Sequence, residues 1–207
     1  MLKSVTNTSH KQNVASAGNY TFSYDISLHG GANLKSFWAI PADNSVGNVL
    51  LSLGTNATGI IGEGEAASQI TPGNWVGSLS SIKSTSGYWI KVDSDLINQN
   101  IGFNVLGFPY QEPAISYELH EGYNLISYIG LDNALLEEAI PEEFSEYITS
   151  IIGEGMASIY SPELQQWLGN LNELDFGSGY WIETNAPINF YWNGGAANTN
   201  FIIKKHY

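Results

Sequence analysis

The sequence predicts a mainly β, α+β chain of two tandem homologous units, each a small sheet or partly open barrel with one short helix. Three observations carry that expectation. The chain matches itself at a fixed offset, its short apolar runs are bounded by Gly turns, and each copy holds a single stretch of helical hydrophobic period. At 207 residues there is room for one large or two small domains. With 43% hydrophobic and 13% aromatic residues, burial offsets the entropy of ordering, which excludes a disordered polymer.

A shift of 91 positions lays Leu28, His29, Gly31, Asn33, Leu34 and Ser36 on Leu119, His120, Gly122, Asn124, Leu125 and Ser127. The same shift carries Thr58, Ile60, Ile61, Gly62, Glu63, Gly64 and Ala66 onto Thr149, Ile151, Ile152, Gly153, Glu154, Gly155 and Ala157. One inserted residue then makes the offset 92, which matches Trp75, Gly77 and Leu79 to Trp167, Gly169 and Leu171. At that offset residues 86–90 fall on residues 178–182, both reading Ser-Gly-Tyr-Trp-Ile. A duplicated module follows. The units are placed at 20–106 and 113–193, joined by a short aromatic linker at 107–112 and flanked by polar tails at 1–19 and 194–207.

Within each unit the apolar runs 33–40 and 124–130 read as buried strands. A helical period follows, clearer in the second copy, where Leu135, Leu136, Ala139, Ile140, Phe144, Tyr147 and Ile148 recur at three- and four-residue steps. Pro141 predicts a break there and opens a second short helix. The first copy keeps only Val46, Val49, Leu50 and Leu53 on that period, which predicts a shorter helix. Residues 60–61 and 148–152 are then read as strands running into Gly-Glu-Gly turns, with 66–70 and 157–160 as hairpin partners. Residues 88–92 and 180–184 alternate as strands, each followed by an apolar segment ending near Phe103 or Phe190.

The formal charge is −13, and all seven basic residues are Lys, so no guanidinium fork is present to grip phosphate. Nucleic acid and anionic membranes are poor partners for such a surface. The charge is also uneven. Residues 1–107 hold five Lys and six acids, net −1, whereas residues 108–207 hold two Lys and fourteen acids, net −12. Two similar units with such different surfaces are expected when one copy is buried in an assembly and the other faces solvent. No Cys is present, which excludes disulfides, thiolate nucleophiles and Cys-based zinc sites. The opening residues hold no apolar run of signal-peptide length, and no run reaches the length of a membrane span, so common secretion and membrane insertion are not expected.

The chemistry-bearing residues read mostly as structural. Glu63 and Glu154 take equivalent places in the Gly-Glu-Gly turns, with Glu65 beside the first. A glycoside hydrolase needs two carboxyl groups facing one cleft, whereas duplication puts one matched Glu in each unit. The favoured reading is a turn carboxylate accepting backbone N–H bonds. His29 and His120 are paired by the repeat but lie in no metal-spaced array, so a structural hydrogen bond is expected. His10 and His206 lie in the tails. Asp93, Asp95, Asn98 and Asn100 lack the glycine and terminal Glu of a calcium loop and read as a solvated turn. No phosphate loop, nucleophile elbow or Ser/His/Asp order is present, and no cofactor is expected.

The aromatics carry more weight. Trp75, Tyr88, Trp89, Trp167, Tyr180 and Trp181 recur at matched places. On strands Tyr88 and Trp89 point to opposite faces, as do Tyr180 and Trp181, so one of each pair leaves the core. They form either an exposed platform for a sugar or a protein interface, or two-sided core packing between the repeats.

The run Gly-Tyr-Asn-Leu-Ile-Ser-Tyr at 122–128, an acidic helix, a strand, a Trp, and Leu-Asp-Phe-Gly-Ser-Gly-Tyr-Trp-Ile at 174–182 form one ordered pattern. It resembles the short "GWN…GYW" modules found repeatedly in virion structural proteins of tailed phages from aquatic environments and in surface proteins of aquatic bacteria. The likeness covers most of 118–192 and, more loosely, 28–104, where Ala32-Asn33-Leu34 replaces the aromatic start. It implies a non-catalytic virion component, a capsid decoration or tail-associated protein, assembled in the host cytoplasm. Such a protein is expected in many copies, held to other virion proteins through its N- and C-terminal tails, since polar termini fray unless tied down. The alternative is an extracellular or cell-surface carbohydrate-binding or adhesion module using Trp89 and Trp181. A hydrolase built on Glu63 and Glu154 ranks last.

Overall fold

The computed structural model describes residues 12–16, 19–96, 99–109, 115–129 and 132–193. Most of both tails, with His10 and His206, and Asn98 lie outside the described residues. The chain is mainly β, built from several small antiparallel sheets with two short helices, and no closed barrel is present among the described residues.

Strands β1 (Gln12–Ser16) and β2 (Asn19–His29) pair as a hairpin ahead of the first repeat's β3 (Gly31–Ser36) and β4 (Ala39–Ile40). Helix α1 (Val46–Val49) and a 3-10 turn (Leu51–Leu53) lead into β5 (Ala57–Ile61), β6 (Ala66–Thr71), β7 (Asn74–Gly77), β8 (Gly87–Val92) and β9 (Asn100–Pro109). The second repeat adds β10 (Tyr117–Leu119), β11 (Gly122–Ser127), β12 (Ala134–Leu135), α2 (Leu136–Ala139) and a 3-10 turn (Glu142–Phe144). It continues through β13 (Ile148–Gly153), β14 (Met156–Ser161), β15 (Gln166–Gly169), β16 (Glu173–Leu174), β17 (Gly179–Thr184) and β18 (Ile188–Phe190).

The duplication is visible in strand order. One five-stranded sheet runs β3-β8-β5-β6-β7 and the other β11-β17-β13-β14-β15, which are equivalent strands in the same sequence. Both carry a register shift at the same place, between Ala57 and Gly59 and between Ile148 and Ser150. A four-stranded sheet, β1-β2-β9-β4, belongs to the N-terminal half. There the period-2 rule holds along β2, which buries Tyr24, Ile26 and Leu28 and exposes Asp25, Ser27 and His29. Facing them on β9, Val105 and Phe103 are buried opposite Tyr24 and Ile26.

The helices are shorter than the hydrophobic period predicts. Ile140 is extended, at φ −96° and ψ 120°, because the ring of Pro141 disfavours the α region for the residue before it. Pro141 then caps the 3-10 turn, so the break falls where the sequence places it, but Ile148 belongs to β13. Both helices have four residues, so the first is not the shorter one.

The described residues cluster into two compact units. Unit 1 takes 12–33, 39–83 and 89–109; unit 2 takes 34–38, 84–88 and 115–193. Unit 2 is therefore assembled from three separated stretches of chain. Its early pieces are bonded in by backbone: Ser36 N–H donates to the Gly177 carbonyl at 2.8 Å, and Ser127 N–H to the Thr85 carbonyl at 3.2 Å. Gly87 and Gly179, matched in the repeat, pack so closely in unit 2 that a Cβ on Gly179 would lie 2.9 Å from the Cα of Gly87. An aromatic cluster fills the same unit, with Trp192 edge-on to Phe190 at 4.8 Å and to Tyr128 at 5.2 Å.

Candidate interaction faces

The repeated His and Asn residues are placed by the turn that opens β3 and β11. Gly31 and Gly122 sit at φ +104° and +97°, which an L side chain adopts only with strain, and Asn33 and Asn124 lie buried just beyond them. Asn124 Oδ1 accepts the His120 N–H at 2.9 Å, while its Nδ2 donates to the carbonyls of His120 at 2.8 Å and Gly122 at 3.0 Å. Asn33 repeats the pattern with His29, at 2.8 Å in both directions. The imidazole Nδ1 donates to the next carbonyl at 2.7 Å in each copy, Gly30 and Glu121. The motif is a backbone clamp in which Asn side chains complete the hydrogen bonding of a tight turn.

Glu154 sits in the two-residue turn between β13 and β14, and within unit 2 its Oε2 accepts the N–H of Leu34 at 2.7 Å. That is a carboxylate satisfying a backbone donor. Glu63 lies exposed in the longer β5–β6 turn, which is closed by Gly62 N–H to the Glu65 carbonyl at 2.8 Å. Asp93 caps the 3-10 turn at Ser94–Leu96 by accepting the Asp95 N–H at 3.1 Å. Among the described residues, no group of three or more His, Asp or Glu converges as a metal site, and no helix is long and apolar enough to cross a membrane.

Sheet register sorts the aromatics. Ile60 pairs with both Ile90 and Ala67, and all three are buried, so this face of the β8-β5-β6 sheet is the core face. Tyr88 lies on it at 1% exposure, and its equivalent Tyr180 at 2%. Neither ring is presented to a partner. Tyr180 is held by the Asp175 N–H, which donates to its hydroxyl at 2.7 Å, and burial raises its pKa above the ordinary tyrosine value. Trp75 and Trp167 are half-buried on the same inward face. Trp75 stands opposite Gln69 and beside Gly47 of α1, and Trp167 packs on Tyr160 at 5.4 Å.

Trp89 and Trp181 point the other way. Trp89 pairs with Ile61, and along this outward face follow Lys91, Ser68 and Val76, the last 61% exposed. Trp181 pairs with Ile152 and Leu125, and its face carries Glu183, Tyr123, Leu168 and Ile159, the last 59% exposed. Each five-stranded sheet thus has a core face and a second face on which a half-buried Trp is followed by exposed aliphatic side chains, while the other end of that second face is buried, at Gly87 in the first sheet and at Leu125 and Gly179 in the second. The turn between β14 and β15 adds exposed Leu164 to the second. Exposed aliphatic side chains grouped on one sheet face make it the candidate interaction surface.

The two outward faces differ at one matched place. Lys91 and Glu183, each two residues beyond its Trp, are equivalent in the repeat. Beneath them stand Gly59 and Ser150, their cross-strand partners. A Cβ on Gly59 would come 3.5 Å from Lys91 Cδ, so the lysine stem lies along the sheet there. Ser150 Oγ and Thr149 Oγ1 instead donate to Glu183 Oε2 at 2.9 and 2.8 Å, fixing the carboxylate.

Sequence reasoning did not single out Trp192, which is buried and donates its Nε1–H to the Ser127 carbonyl at 3.0 Å. It lies beyond the last matched segment, so the repeat gave no signal for it. No protein-family model matches the chain, and no curated protein or solved structure is significantly similar to it.

Proposed function

We propose that this chain is a non-catalytic structural protein of a tailed-phage virion, a capsid decoration or tail-associated component acting through protein–protein contacts. The observation that carries the contact role is the pair of outward sheet faces, each with exposed aliphatic residues around a half-buried Trp. Interface centres are rich in such aromatic and aliphatic anchors. Glu154 and the repeated His and Asn residues are engaged in backbone hydrogen bonds, which accounts for their recurrence through folding. The virion setting comes from the GWN…GYW resemblance. Immunogold electron microscopy with antibody raised against the purified chain tests it: labelled capsids or tails support the reading, and particles that carry none of the chain overturn it.

A carbohydrate-binding role is the second reading, favoured by Trp181 lying beside Glu183 and Tyr123 on one face, an apolar ring flanked by hydrogen-bonding groups. Glycan-array binding that is lost in Trp181→Ala supports it.

A further inference from the structure

Resting on the contact role proposed above, we infer that the second repeat binds the ammonium group of a lysine side chain on a partner protein, seated on Glu183 beside Tyr123 and Trp181. A bulge in β13 builds the site. The register shift between Ile148 and Ser150 leaves Thr149 as an extra residue next to Ser150, the cross-strand partner of Glu183, and both hydroxyls donate to one carboxylate oxygen, Oε2, at 2.8 and 2.9 Å. Oε1 is left without a partner among the described residues. No cation among them pairs with Glu183, and residues 92–203 contain neither Lys nor Arg.

Register places the flanking groups. Tyr123 stands directly across from Glu183 on β11 and is 46% exposed, and Trp181 lies two residues back on the same side of β17, half-buried. Aromatic rings beside a carboxylate make a favourable seat for an ammonium ion. On the other side the row continues through Ser150, small and buried, to Ile159 and Leu168, which are exposed. At a strand spacing of about 4.8 Å these lie about 10 and 14 Å from Glu183, so a partner segment with an apolar side chain near its lysine covers the row. This is the end of the face away from buried Gly179 and Leu125.

The chemistry selects lysine. A guanidinium fork needs both carboxylate oxygens, whereas Oε2 already takes two hydroxyls, so Oε1 suits a point donor. A sugar asks for donors as well as acceptors, and Thr149 and Ser150 already donate to Glu183. The wider field agrees, since residues 108–207 carry a net charge of −12 and attract a cation. The first repeat serves as an internal comparison. It has the same bulge, yet Ala32, Lys91 and Gly59 stand at the places of Tyr123, Glu183 and Ser150, so it keeps the backbone of the site without its chemistry.

NMR on the full chain, following the Trp181 indole N–H and the Tyr123 and Glu183 amides as acetyl-Lys-Gly-Leu-amide is added, tests this; side chains two apart in an extended peptide lie on one side. Saturable shifts at these groups are expected, with millimolar affinity that falls as salt is raised, while the Trp89 indole does not move. Acetylating the lysine amine of the peptide removes its charge and is expected to weaken binding about tenfold, as is Glu183→Gln, which keeps a carbonyl oxygen for the two hydroxyls. Tyr123→Ala, the residue of the first repeat, is expected to weaken it about threefold and keeps the test open if the glutamine variant fails to fold. No saturable shift at Trp181 overturns the proposal, as does an acetylated peptide that binds equally well or unchanged affinity in either folded variant. N-acetylglucosamine that shifts the same groups when the peptide does not overturns it in favour of the carbohydrate reading. A chain found in particles that ignores the peptide defeats this inference alone; particles that carry none of the chain defeat the virion reading whatever the titration shows.

Discussion

Asn124 and His120 exchange two hydrogen bonds, Oδ1 accepting the histidine N–H at 2.9 Å and Nδ2 donating to its carbonyl at 2.8 Å. The amide completes the turn that bends at Gly122 between β10 and β11. Asn124→Ala is expected to cost about 1–2 kcal/mol, because it removes the acceptor of the His120 N–H, while the His120 carbonyl keeps the Thr184 hydroxyl at 2.7 Å. Asn124→Asp costs more at neutral pH, since a carboxylate oxygen then faces carbonyl oxygens. Urea unfolding midpoints of both variants, and of Asn33→Ala, check this; a loss below about 0.5 kcal/mol would show that water replaces the clamp.

Gly87 and Gly179 leave no room for side chains. A Cβ on Gly87 would stand 2.9 Å from both the Ile126 carbonyl oxygen and Leu125 Cδ1. Gly87→Ala and Gly179→Ala are each expected to destabilise by about 2–3 kcal/mol through overpacking. Gly102→Ala, with nothing near its Cβ, is the control and should be nearly silent. Thermal melts of the three variants decide it.

Alkaline pH should unfold the protein through its buried tyrosines. Burial, reinforced by the nearby Asp132 charge, pushes the Tyr128 hydroxyl up to about 12, and burial also raises Tyr180 and Tyr24 above the ordinary value. A tyrosine whose pKa is higher folded than unfolded holds its proton in the native state after the unfolded chain has lost it. Stability is therefore constant below about pH 10 and falls as pH rises toward 12. Denaturant midpoints from pH 8 upward should show that decline, shallower in Tyr128→Phe. A flat profile to pH 12 contradicts it.

Glu154 separates hydrogen bonding from charge. Glu154→Gln keeps a carbonyl oxygen for the Leu34 N–H and is expected to lose less than about 1 kcal/mol, whereas Glu154→Ala loses about 1–2 kcal/mol. Amide exchange at Leu34, followed by NMR, should quicken in the alanine variant and change little in the glutamine one. Equal exchange in both would remove Glu154 as the partner that matters.

The β class and its strands were legible because hydrophobic alternation and Gly turns act locally, as along Tyr24, Ile26 and Leu28. The helix was overread because Ile148 continues the helical period numerically while the chain is already extended after Pro141. Alternation separates Tyr88 from Trp89 but does not say which one turns inward. That is decided by Ile60 of β5, which buries itself against Ile90 from the neighbouring strand and so lies outside the stretch that holds Tyr88 and Trp89. The histidines attracted notice for their chemistry, yet the buried asparagines four residues later carry the clamp, and their signal was an Asn flanked by Leu at a core position in both copies.

Unit 2 takes Leu34–Trp38 and Ser84–Tyr88 from the early part of the chain and bonds them to residues as late as Gly177 and Ser178. A ribosome delivering this protein must therefore keep those two early segments waiting until Gly177 and Ser178 have emerged. Loops of such length close slowly. The nascent chain thus passes through a period with unclaimed apolar strands on display, and chaperone supply or a slowed translation rate should govern the soluble yield more strongly than the stability of the finished protein does.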